Sequence, residues 1–492
     1  MNYIGVDLGT SSVKLLLMDK GGQILNTVSC EYPIEFPKSG WSEQNPYDWY
    51  DATIKGIKKL LKGFDKKSVA GLSFGGQMHG LVILDDKDDV IRPAILWNDG
   101  RTIKECNYLN NTIGRDKLSL YTANIAFAGF TAPKILWLRN NEEDNFNRIK
   151  KIMLPKDYLA YRLTGEFSTD VSDASGTLLF DVSKRDWSDE MLKICGITRD
   201  VMPHIYESYE EIGHIKKEVA SQLGLGEDVI VAAGAGDNAA AAIGTGTIGD
   251  GNCNISLGTS GTVFISSKNF RVDENNALHS FAHADGAYHL MGCMLSAASC
   301  NGWWMDKILK TKEYSKEQEN ISADMLGNNH VYFLPYLMGE RSPHNDPKAR
   351  GVFVGMSMDS TRDDLTLAVL EGVAYGLKDS IEVAKRLGIN ITETKICGGG
   401  AKSDLWCNIL SNVLGINVLK LAIEEGPSMG ACILAMVANG EYSSVKEAVD
   451  KIVTVSSVIK PDEKITKRYE ARYKEFRGLY PALKGSFATM ID

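Results

Sequence analysis

The sequence lacks the features that mark several common classes of protein. No Gly-Lys dipeptide occurs, so the phosphate-binding loop GxxxxGK[ST] of the Walker-type ATPases is absent. The nine cysteines are odd in number and form no CxxC pair, which argues against a disulfide scaffold. No apolar run approaches the roughly 20 residues that a membrane-spanning helix needs. A strand pattern starts at Asn2, which predicts no signal peptide. We therefore expect a reduced, cytoplasmic protein without membrane contact.

An excess of positive charge is also missing. Lysine and arginine number 54 against 63 aspartate and glutamate residues, for a formal net charge of -9. Nucleic-acid partners require basic patches, so we expect none here. A small anionic ligand remains compatible with this balance, because a few glycines and one lysine can build a local phosphate site.

A repeated motif is the most informative feature that the sequence does contain. Leu8-Gly9-Thr10-Ser11 and Leu257-Gly258-Thr259-Ser260 each stand between two apolar, strand-like runs, about half the chain apart. Glycine and small hydroxyl residues between such runs indicate a hairpin. Duplication, or convergent use of one device, explains the shared flanks. Because 492 residues exceed the size of a single core, we predict an N-terminal domain over residues 1–247 and a C-terminal domain over residues 248–492.

The remaining periodicity mixes strands with helices, which is typical of α/β architecture. Strands are predicted at residues 23–32, 69–74, 81–84, 94–97, 227–233, 287–292 and 394–397, and helices at residues 46–63, 238–243, 297–310, 361–387, 403–414 and 428–438. Residues 440–492 show a charged helical pattern. This tail either packs back on the first domain or forms a homodimer contact.

The two glycine-containing loops are candidate phosphate sites. Gly9, Thr10 and Ser11 form the first loop, and Gly258, Thr259 and Ser260 form the second. Glycine allows backbone N–H groups to approach a phosphate closely. Two such loops could hold a triphosphate from both sides, with Lys14 neutralising charge beside the first. The alternative is that both are ordinary hairpin turns.

Asp7 ends the first strand immediately before the glycine turn. A carboxylate repels phosphate unless a cation stands between them, and Mg²⁺ is often held by one or two carboxylates together with phosphate oxygens. Asp7 is therefore a candidate Mg²⁺ ligand, with a turn-capping aspartate as the alternative.

Asp237 is the candidate general base. The stretch Gly234-Ala235-Gly236-Asp237-Asn238-Ala239 follows a strand and opens a helix, so it also matches the GxGxxA dinucleotide fingerprint of dehydrogenases. That match is weak, because an aspartate would lie where the pyrophosphate belongs. A helix N-terminus keeps a carboxylate ionised, and an ionised carboxylate can accept a proton from an alcohol. A simple helix cap is the remaining alternative.

Three further glycine-containing stretches are candidate ligand contacts. Met78 and His79 lie in a glycine-flanked loop whose polar groups could bind sugar hydroxyls, although a lone histidine is often structural. Gly399 and Gly400 follow a strand, where backbone could pack directly on an adenine or ribose, or simply form a tight turn. Residues 97–101 have a similar character, but Asn98 or Asp99 could equally cap the next helix.

Taken jointly, these motifs resemble the FGGY carbohydrate kinases, of the superfamily that contains actin, hexokinase and the heat-shock ATPases. The paired Gly-Thr loops, Gly236-Asp237-Asn238 and the later triple glycine carry the resemblance, together with residues 129–137, 351–356 and 368–372. It spans residues 3 to about 440. It implies two ribonuclease H-like α/β domains with the active site in an interdomain cleft, and ATP and Mg²⁺ as cofactors.

The resemblance also implies roles for individual residues. Asp237 would be the base, Met78, His79 and Asn238 would contact the sugar together with Asp237, and Asp7 would serve Mg²⁺. The two loops would hold phosphates with Lys14 nearby, and Gly399 and Gly400 would meet the nucleoside.

The implied substrate is a ketopentose. Residues 41–44, 77–80, 95–101, 154–158, 295–299 and 339–345 most resemble the family members that act on xylulose. Members that act on glycerol carry an Arg-Glu pair where this chain has Met78-His79, which argues against glycerol. Other sugars or polyols, such as ribulose or gluconate, and a non-catalytic ATPase of the same superfamily are the alternatives.

Overall fold

A computed structural model describes residues 1–423 and 425–490. The chain divides into two compact units, each built from three segments. The first unit comprises Met1–Ile248, Ser280–His289 and Glu425–Val453, and the second comprises Gly249–His279, Leu290–Glu424 and Thr454–Asp492. The sequence places residues 425–453 in the C-terminal domain, whereas in the structure they pack within the first unit.

The strands are short and numerous. In chain order they are β1 (Asn2–Leu8), β2 (Ser12–Asp19), β3 (Ile24–Glu31), β4 (Glu43–Gln44), β5 (Val69–Gly76), β6 (Val82–Leu84), β7 (Ala94–Ile95), β8 (Lys151–Met153), β9 (Ser168–Asp170), β10 (Phe180–Asp181), β11 (Asp186–Trp187), β12 (His204–Tyr206), β13 (Glu211–His214), β14 (Ile230–Ala232), β15 (Ala235–Gly236), β16 (Cys253–Leu257), β17 (Gly261–Ser267), β18 (His279–Ala282), β19 (Tyr288–Met294), β20 (Tyr332–Leu334), β21 (Val352–Val354), β22 (Glu393–Cys397), β23 (Asn417–Leu421) and β24 (Val455–Ile459).

The helices range from one turn to more than seven turns. In chain order they are α1 (Pro46–Leu60), α2 (Ile103–Asn107), α3 (Arg115–Thr122), α4 (Thr131–Asn141), α5 (Glu143–Asn147), α6 (Pro155–Thr164), α7 (Val171–Ser175), α8 (Asp189–Cys195), α9 (Lys217–Leu223), α10 (Asp237–Gly244), α11 (Ala298–Trp303), α12 (Tyr314–Gln318), α13 (Arg362–Arg386), α14 (Asp404–Leu414), α15 (Gly426–Ala438), α16 (Val445–Ile452) and α17 (Glu463–Met490). Across the described residues, none of these helices has the length and apolar character needed to cross a membrane.

A mixed sheet forms the centre of the first unit, with its strands in the order β13-β14-β5-β1-β2-β3. β1 pairs antiparallel with β2 and parallel with β5. Alternate side chains of the hairpin belong to one hydrophobic core, as the two-residue period of a strand requires; they are Ile4, Val6, Leu8, Val13, Leu15 and Leu17.

The second unit repeats this arrangement. Given in the same direction, its strands follow the order β24-β23-β22-β16-β17-β19. β16 pairs antiparallel with β17 and parallel with β22, just as β1 pairs with β2 and β5. β24 then runs antiparallel to β23, as β13 does to β14. The repeat predicted from the two Leu-Gly-Thr-Ser motifs is therefore confirmed as a repeated sheet topology.

Helix α17 packs in the core of the second unit through one aromatic face, whose buried members are Tyr469, Tyr473, Phe476, Tyr480 and Phe487. The tail predicted at residues 440–492 is therefore divided between the units: residues 440–453 pack within the first unit, as one of the two sequence-based alternatives predicts, whereas α17 packs in the second. The homodimer alternative stays a prediction.

Candidate active site

Two carboxylates of the first unit lie at the ends of β1 and β15, which both pair with β5. Asp7 in β1 is in register with Gly75 of β5, and Gly76 of β5 is in register with Gly236 of β15. Asp237 follows at once as the first residue of α10. Because β1, β5 and β15 are parallel, their carboxyl ends fall on one edge of the sheet. Both carboxylates are partly exposed there rather than enclosed in the core.

Asp237 is held in place by its neighbour. Its Oδ1 accepts hydrogen bonds from the Asn238 backbone N at 2.7 Å and from the Asn238 Nδ2 at 2.9 Å. Burial raises the pKa of Asp237 to about 6, against the lowering effect of the backbone hydrogen bond from Asn238. The carboxylate is therefore mostly ionised at neutral pH, yet basic enough to accept a proton.

Asp7 has an even more strongly shifted carboxyl group. Burial and then the nearby charge of Asp237 raise the pKa of Asp7 to about 7, while Lys14 acts in the opposite direction. A divalent cation would relieve this repulsion, and carboxylate oxygens suit Mg²⁺. The described residues contain no group of three or more histidine, cysteine, aspartate or glutamate side chains able to hold a metal ion. Asp7 would supply a carboxylate oxygen to a bound Mg²⁺.

Lys14, the candidate phosphate contact, is engaged in an ion pair. Its Nζ lies 2.5 Å from Oε2 of Glu425, and both side chains are partly exposed. A phosphate at this position would have to share Lys14 with that carboxylate.

The Met78–His79 turn lies beside Asp237. A Cβ added to Gly236 would stand 2.9 Å from Cγ of Met78, and Asn238 Nδ2 lies 3.9 Å from the Met78 sulfur. The His79 Nδ1 is 2.6 Å from the Gly176 carbonyl oxygen. The structure thus brings together all four residues predicted to contact the sugar, although 160 residues separate Met78 from Asn238.

Lys156 and three aspartates form a buried charge cluster near Asp237. The sequence analysis did not predict this cluster. The Lys156 Nζ is 2.7 Å from Asp157, 2.8 Å from Asp170 and 3.8 Å from Asp173. Burial alone would lower the pKa of Lys156, but these three carboxylates reverse that effect and raise it. In the sequence analysis, residues 154–158 contributed only to the family resemblance, because no local sequence pattern shows that a lysine is buried.

This cluster is linked to the backbone that carries Asp237. Asp170 Oδ2 accepts a hydrogen bond from Ser172 Oγ at 2.5 Å, and Ser172 Oγ accepts one from the Gly236 backbone N at 3.1 Å. The cluster therefore fixes the position at which α10 begins.

The first predicted phosphate loop has its carbonyl groups occupied from within the first unit. The Tyr32 hydroxyl donates to the Gly9 carbonyl, and the Tyr32 backbone N donates to the Ser11 carbonyl at 3.2 Å. Gln44 Nε2 donates to the Thr10 carbonyl at 2.6 Å. Carbonyl oxygens repel phosphate. Because these three carbonyls already accept hydrogen bonds within the first unit, the loop is compatible with anion binding.

Trp97 belongs to residues 97–101, whose role the sequence left open. Its Nε1 donates to Thr10 Oγ1 at 3.0 Å, and the residue is 47% exposed. An exposed indole held beside the loop is available for ligand contact. Of the proposed capping residues, Asp99 instead forms a buried ion pair with Arg101 at 2.7 Å.

The second predicted phosphate loop is held by the start of α11. The Ala298 backbone N donates to the Gly258 carbonyl at 2.8 Å, and the Ala297 backbone N donates to the Thr259 carbonyl at 3.0 Å. Gly398 adopts a φ of +91°, and a Cβ there would stand 2.9 Å from the Leu257 carbonyl carbon. Only glycine fits at this approach between β22 and the loop.

A cavity of about 670 Å³ opens beside Gly399 and Gly400 in the second unit. Its lining also includes Asn301, Tyr314, Gln318 and Leu405. An aromatic ring, an aliphatic side chain and two amides suit a base and a ribose, and the volume falls in the range of small-molecule sites. The sequence indicated the glycines of this cavity but none of its other walls.

Comparison with known proteins is consistent with this geometry. Residues 2–244 match the N-terminal domain of the FGGY family of carbohydrate kinases, and residues 253–439 match its C-terminal domain. The chain is 41% identical over 486 residues to the xylulose kinase of Escherichia coli strain K12, covering 98% of this chain and 99% of that protein. It is 39% identical to the xylulose kinase of Lactococcus lactis subsp. lactis strain IL1403, covering 98% and 97%.

Solved structures agree with the predicted fold class. A crystal structure titled as a xyloylose kinase from Brucella ovis has a TM-score of 0.94 and 38% identity, covering 99% of this chain and 100% of that one. A gluconate kinase from Lactobacillus acidophilus has a TM-score of 0.94 and 26% identity, covering 99% of each. The predicted two-domain α/β fold of the actin and hexokinase type is confirmed. The chain therefore belongs to the FGGY family of carbohydrate kinases and is an ATP-dependent sugar kinase.

Proposed function

We propose that this chain transfers the γ-phosphate of ATP to D-xylulose, forming D-xylulose 5-phosphate, with Asp237 as the general base. The observation that carries the proposal is the meeting of Asp237 with the Met78–His79 turn at one edge of the first unit's sheet. The xylulose kinases at 41% and 39% identity support this choice of sugar.

The proposed chemistry depends on one proton and on positioning. The Asp237 carboxylate accepts the proton of the attacking hydroxyl as the oxygen approaches the phosphorus. Asn238 donates two hydrogen bonds to Oδ1 and thereby orients the carboxylate. Met78, His79 and Asn238 hold the sugar in line, since phosphoryl transfer depends mainly on positioning and charge stabilisation.

Each unit has a proposed role in binding the nucleotide. The cavity beside Gly399 and Gly400 takes the nucleoside. The loop at residues 258–260 contacts phosphates, as does the loop at residues 9–11. Asp7 would hold Mg²⁺, which would neutralise charge on the phosphate oxygens. The mutual repulsion of Asp7 and Asp237 supports a cation at this position.

Another sugar of similar size is the second candidate substrate. The structural match to a gluconate kinase, at a TM-score of 0.94, shows that this fold serves more than one acceptor. A panel containing D-xylulose, ribulose, gluconate and glycerol in an ADP-coupled assay separates these candidates. ATP turnover that no sugar of the panel increases would contradict the proposed acceptor.

The decisive experiment identifies the product and tests the base together. NMR after incubation with ATP, Mg²⁺ and D-xylulose should show a ketose 5-phosphate. Asp237→Asn should lose at least about 10²-fold in kcat while it still folds and binds the sugar. Asp189→Asn is the matched control, because Asp189 also begins a helix of the first unit but is exposed. Wild-type turnover by Asp237→Asn would refute the assignment.

We also propose a cytoplasmic location, which the cysteines support. The structure records all nine as thiols, and all nine residues belong to strands or helices. A homodimer stays a prediction that sedimentation can test.

A further inference from the structure

Lys134 is a fully buried lysine directly beneath the proposed sugar-binding turn. Its side chain lies in the first turn of α4 and is 0% exposed. The Nζ donates to two backbone carbonyls, that of His79 at 2.8 Å and that of Gly129 at 2.7 Å. Thr131 Oγ1 donates to the same His79 carbonyl at 3.1 Å. The backbone of the turn is therefore held from below by two side chains of one helix.

The stability of the core does not by itself explain why a lysine occupies position 134. Within the described chain, no carboxylate forms an ion pair with it at 4.0 Å or less. Burial lowers the pKa of Lys134 to about 7, an effect that Asp99 opposes and Arg101 reinforces, with a smaller opposing contribution from Cys106. Burying such a group is costly. The hydrogen bonds from Lys134 to the two carbonyls are what offsets that cost.

His79 supplies a geometric reason for the amine. Its φ is +70°, in the left-handed region that residues with a side chain rarely adopt. Such a conformation persists when its surroundings hold it in place. The two donors on the His79 carbonyl provide that restraint.

The conformation of the turn also decides where the imidazole lies. The His79 Nδ1 is within 2.6 Å of the Gly176 carbonyl oxygen, and the ring packs on Phe130 with 4.6 Å between centroids. A carbonyl only accepts hydrogen bonds, so Nδ1 carries the hydrogen. If the peptide after His79 rotated, the ring would lose this position.

We propose that Lys134 is a positioning residue for the sugar, because its two hydrogen bonds fix the turn that presents Met78 and His79 to the substrate. Lys134 itself does not touch the sugar. This inference rests on the proposed function, since it assumes that Met78 and His79 bind the acceptor. It assigns to Lys134 an effect on sugar binding that is separate from nucleotide binding.

The test is Lys134→Met, which keeps the length and apolar stem but removes the donors. Removing both donors frees the backbone of the turn, so KM for the sugar should rise about tenfold or more. KM for ATP and the slow turnover of ATP without sugar should stay within about twofold of wild type.

Lys378→Met is the matched control. Lys378 is a buried lysine of the second unit, and its Nζ donates to the Val413 backbone carbonyl at 2.6 Å. This variant should lower the thermal midpoint while leaving KM for the sugar unchanged. Equal sugar KM values in the two methionine variants, or a Lys134→Met variant with wild-type sugar KM, would overturn the proposal.

Thr131→Val keeps the proposal testable if Lys134→Met does not fold. It removes the weaker donor to the same carbonyl, so KM for the sugar should rise by a smaller factor and kcat should change less than KM. An unchanged KM would again contradict the proposal. All measurements use the sugar of the panel that wild type phosphorylates best, so an error about D-xylulose leaves this test intact.

Discussion

Asp237 and Asp7 illustrate how burial sets the chemistry of single residues in this protein. Both carboxyl groups are partly enclosed at strand ends, and the pKa of each lies above its usual value, at about 6 and about 7. Their ionised forms are therefore disfavoured in the folded state. A raised carboxyl pKa contributes stability at low pH that is lost as the pH rises through the folded-state value. At neutral pH, the two ionised carboxylates therefore lower the stability of the folded state.

Activity should report the titration of Asp237 directly. Below about pH 6 the carboxyl group is protonated and cannot accept a proton from the sugar hydroxyl. We expect kcat/KM for the sugar to fall about tenfold per pH unit on the acid side, with the limb beginning near pH 6 in the free enzyme. Steady-state kinetics from pH 5 to 8.5 measure this limb. Thermal midpoints over the same range serve as the control for unfolding, and a flat profile down to pH 5 would contradict the assignment.

At the scale of elements, α15 determines where α10 lies. A Cβ on Gly430 of α15 would stand 1.8 Å from the Ala240 carbonyl oxygen of α10, and one on Gly244 would stand 2.3 Å from the Gly426 carbonyl oxygen. The two helices therefore approach through glycine-to-backbone contacts. α15 also packs on β1, where a Cβ on Gly5 would stand 1.8 Å from the Ser428 carbonyl oxygen. These contacts link the helix of Asp237 to the strand of Asp7.

Gly430→Ala should consequently damage both the fold and the site. The added methyl group has to push α10 away, so we expect a loss of stability of roughly 1–3 kcal/mol or more and a lower kcat. Thermal unfolding and sugar-dependent turnover measure these effects.

Gly485→Ala in α17 is the control for that substitution, because nothing lies within 4 Å of the added Cβ. It should leave activity unchanged and stabilise the helix by up to about 1 kcal/mol. If Gly430→Ala behaved like Gly485→Ala, the close approach of α10 and α15 would be wrong.

Elements with strong local signals were predicted well from the sequence. The helix predicted at residues 361–387 is α13 (Arg362–Arg386), and the strand predicted at residues 394–397 is β22 (Glu393–Cys397). Both carry a clear period and clear boundaries, such as the Thr361 N-cap. By contrast, α4 and α6 were not predicted as helices. Every residue of α4 from 131 to 138 is buried, so its sequence shows no polar face.

At the scale of the whole molecule, the chain crosses repeatedly between the two units. Segment 425–453 supplies α15 and α16 to the first unit, although it follows most of the second unit in sequence. α15 is almost wholly buried, and its members include Met429, Ile433, Leu434 and Met436. Without it, the face of the first sheet that packs on α15 would be exposed.

A fragment of residues 1–247 should therefore fail to fold alone, although the sequence-based boundary marks it as a domain. We expect aggregation or a loss of near-ultraviolet circular dichroism, because the apolar surface that α15 covers meets water. Limited proteolysis of the fragment and of the full chain measures the difference. A soluble, protease-resistant fragment that binds the sugar would show that α15 is dispensable.

The sequence by itself determined the features that local patterns encode. Period-two apolar runs around Gly9 and Gly258 specify hairpins, and the glycines before Asp237 specify a strand-to-helix junction, because these conformations depend on neighbouring residues. Only the tertiary structure decided that Met78 lies against Gly236, that Lys134 and Lys156 are buried, and that α15 belongs to the first unit. These outcomes depend on which distant surfaces pack together, and burial of a lysine leaves no local signature.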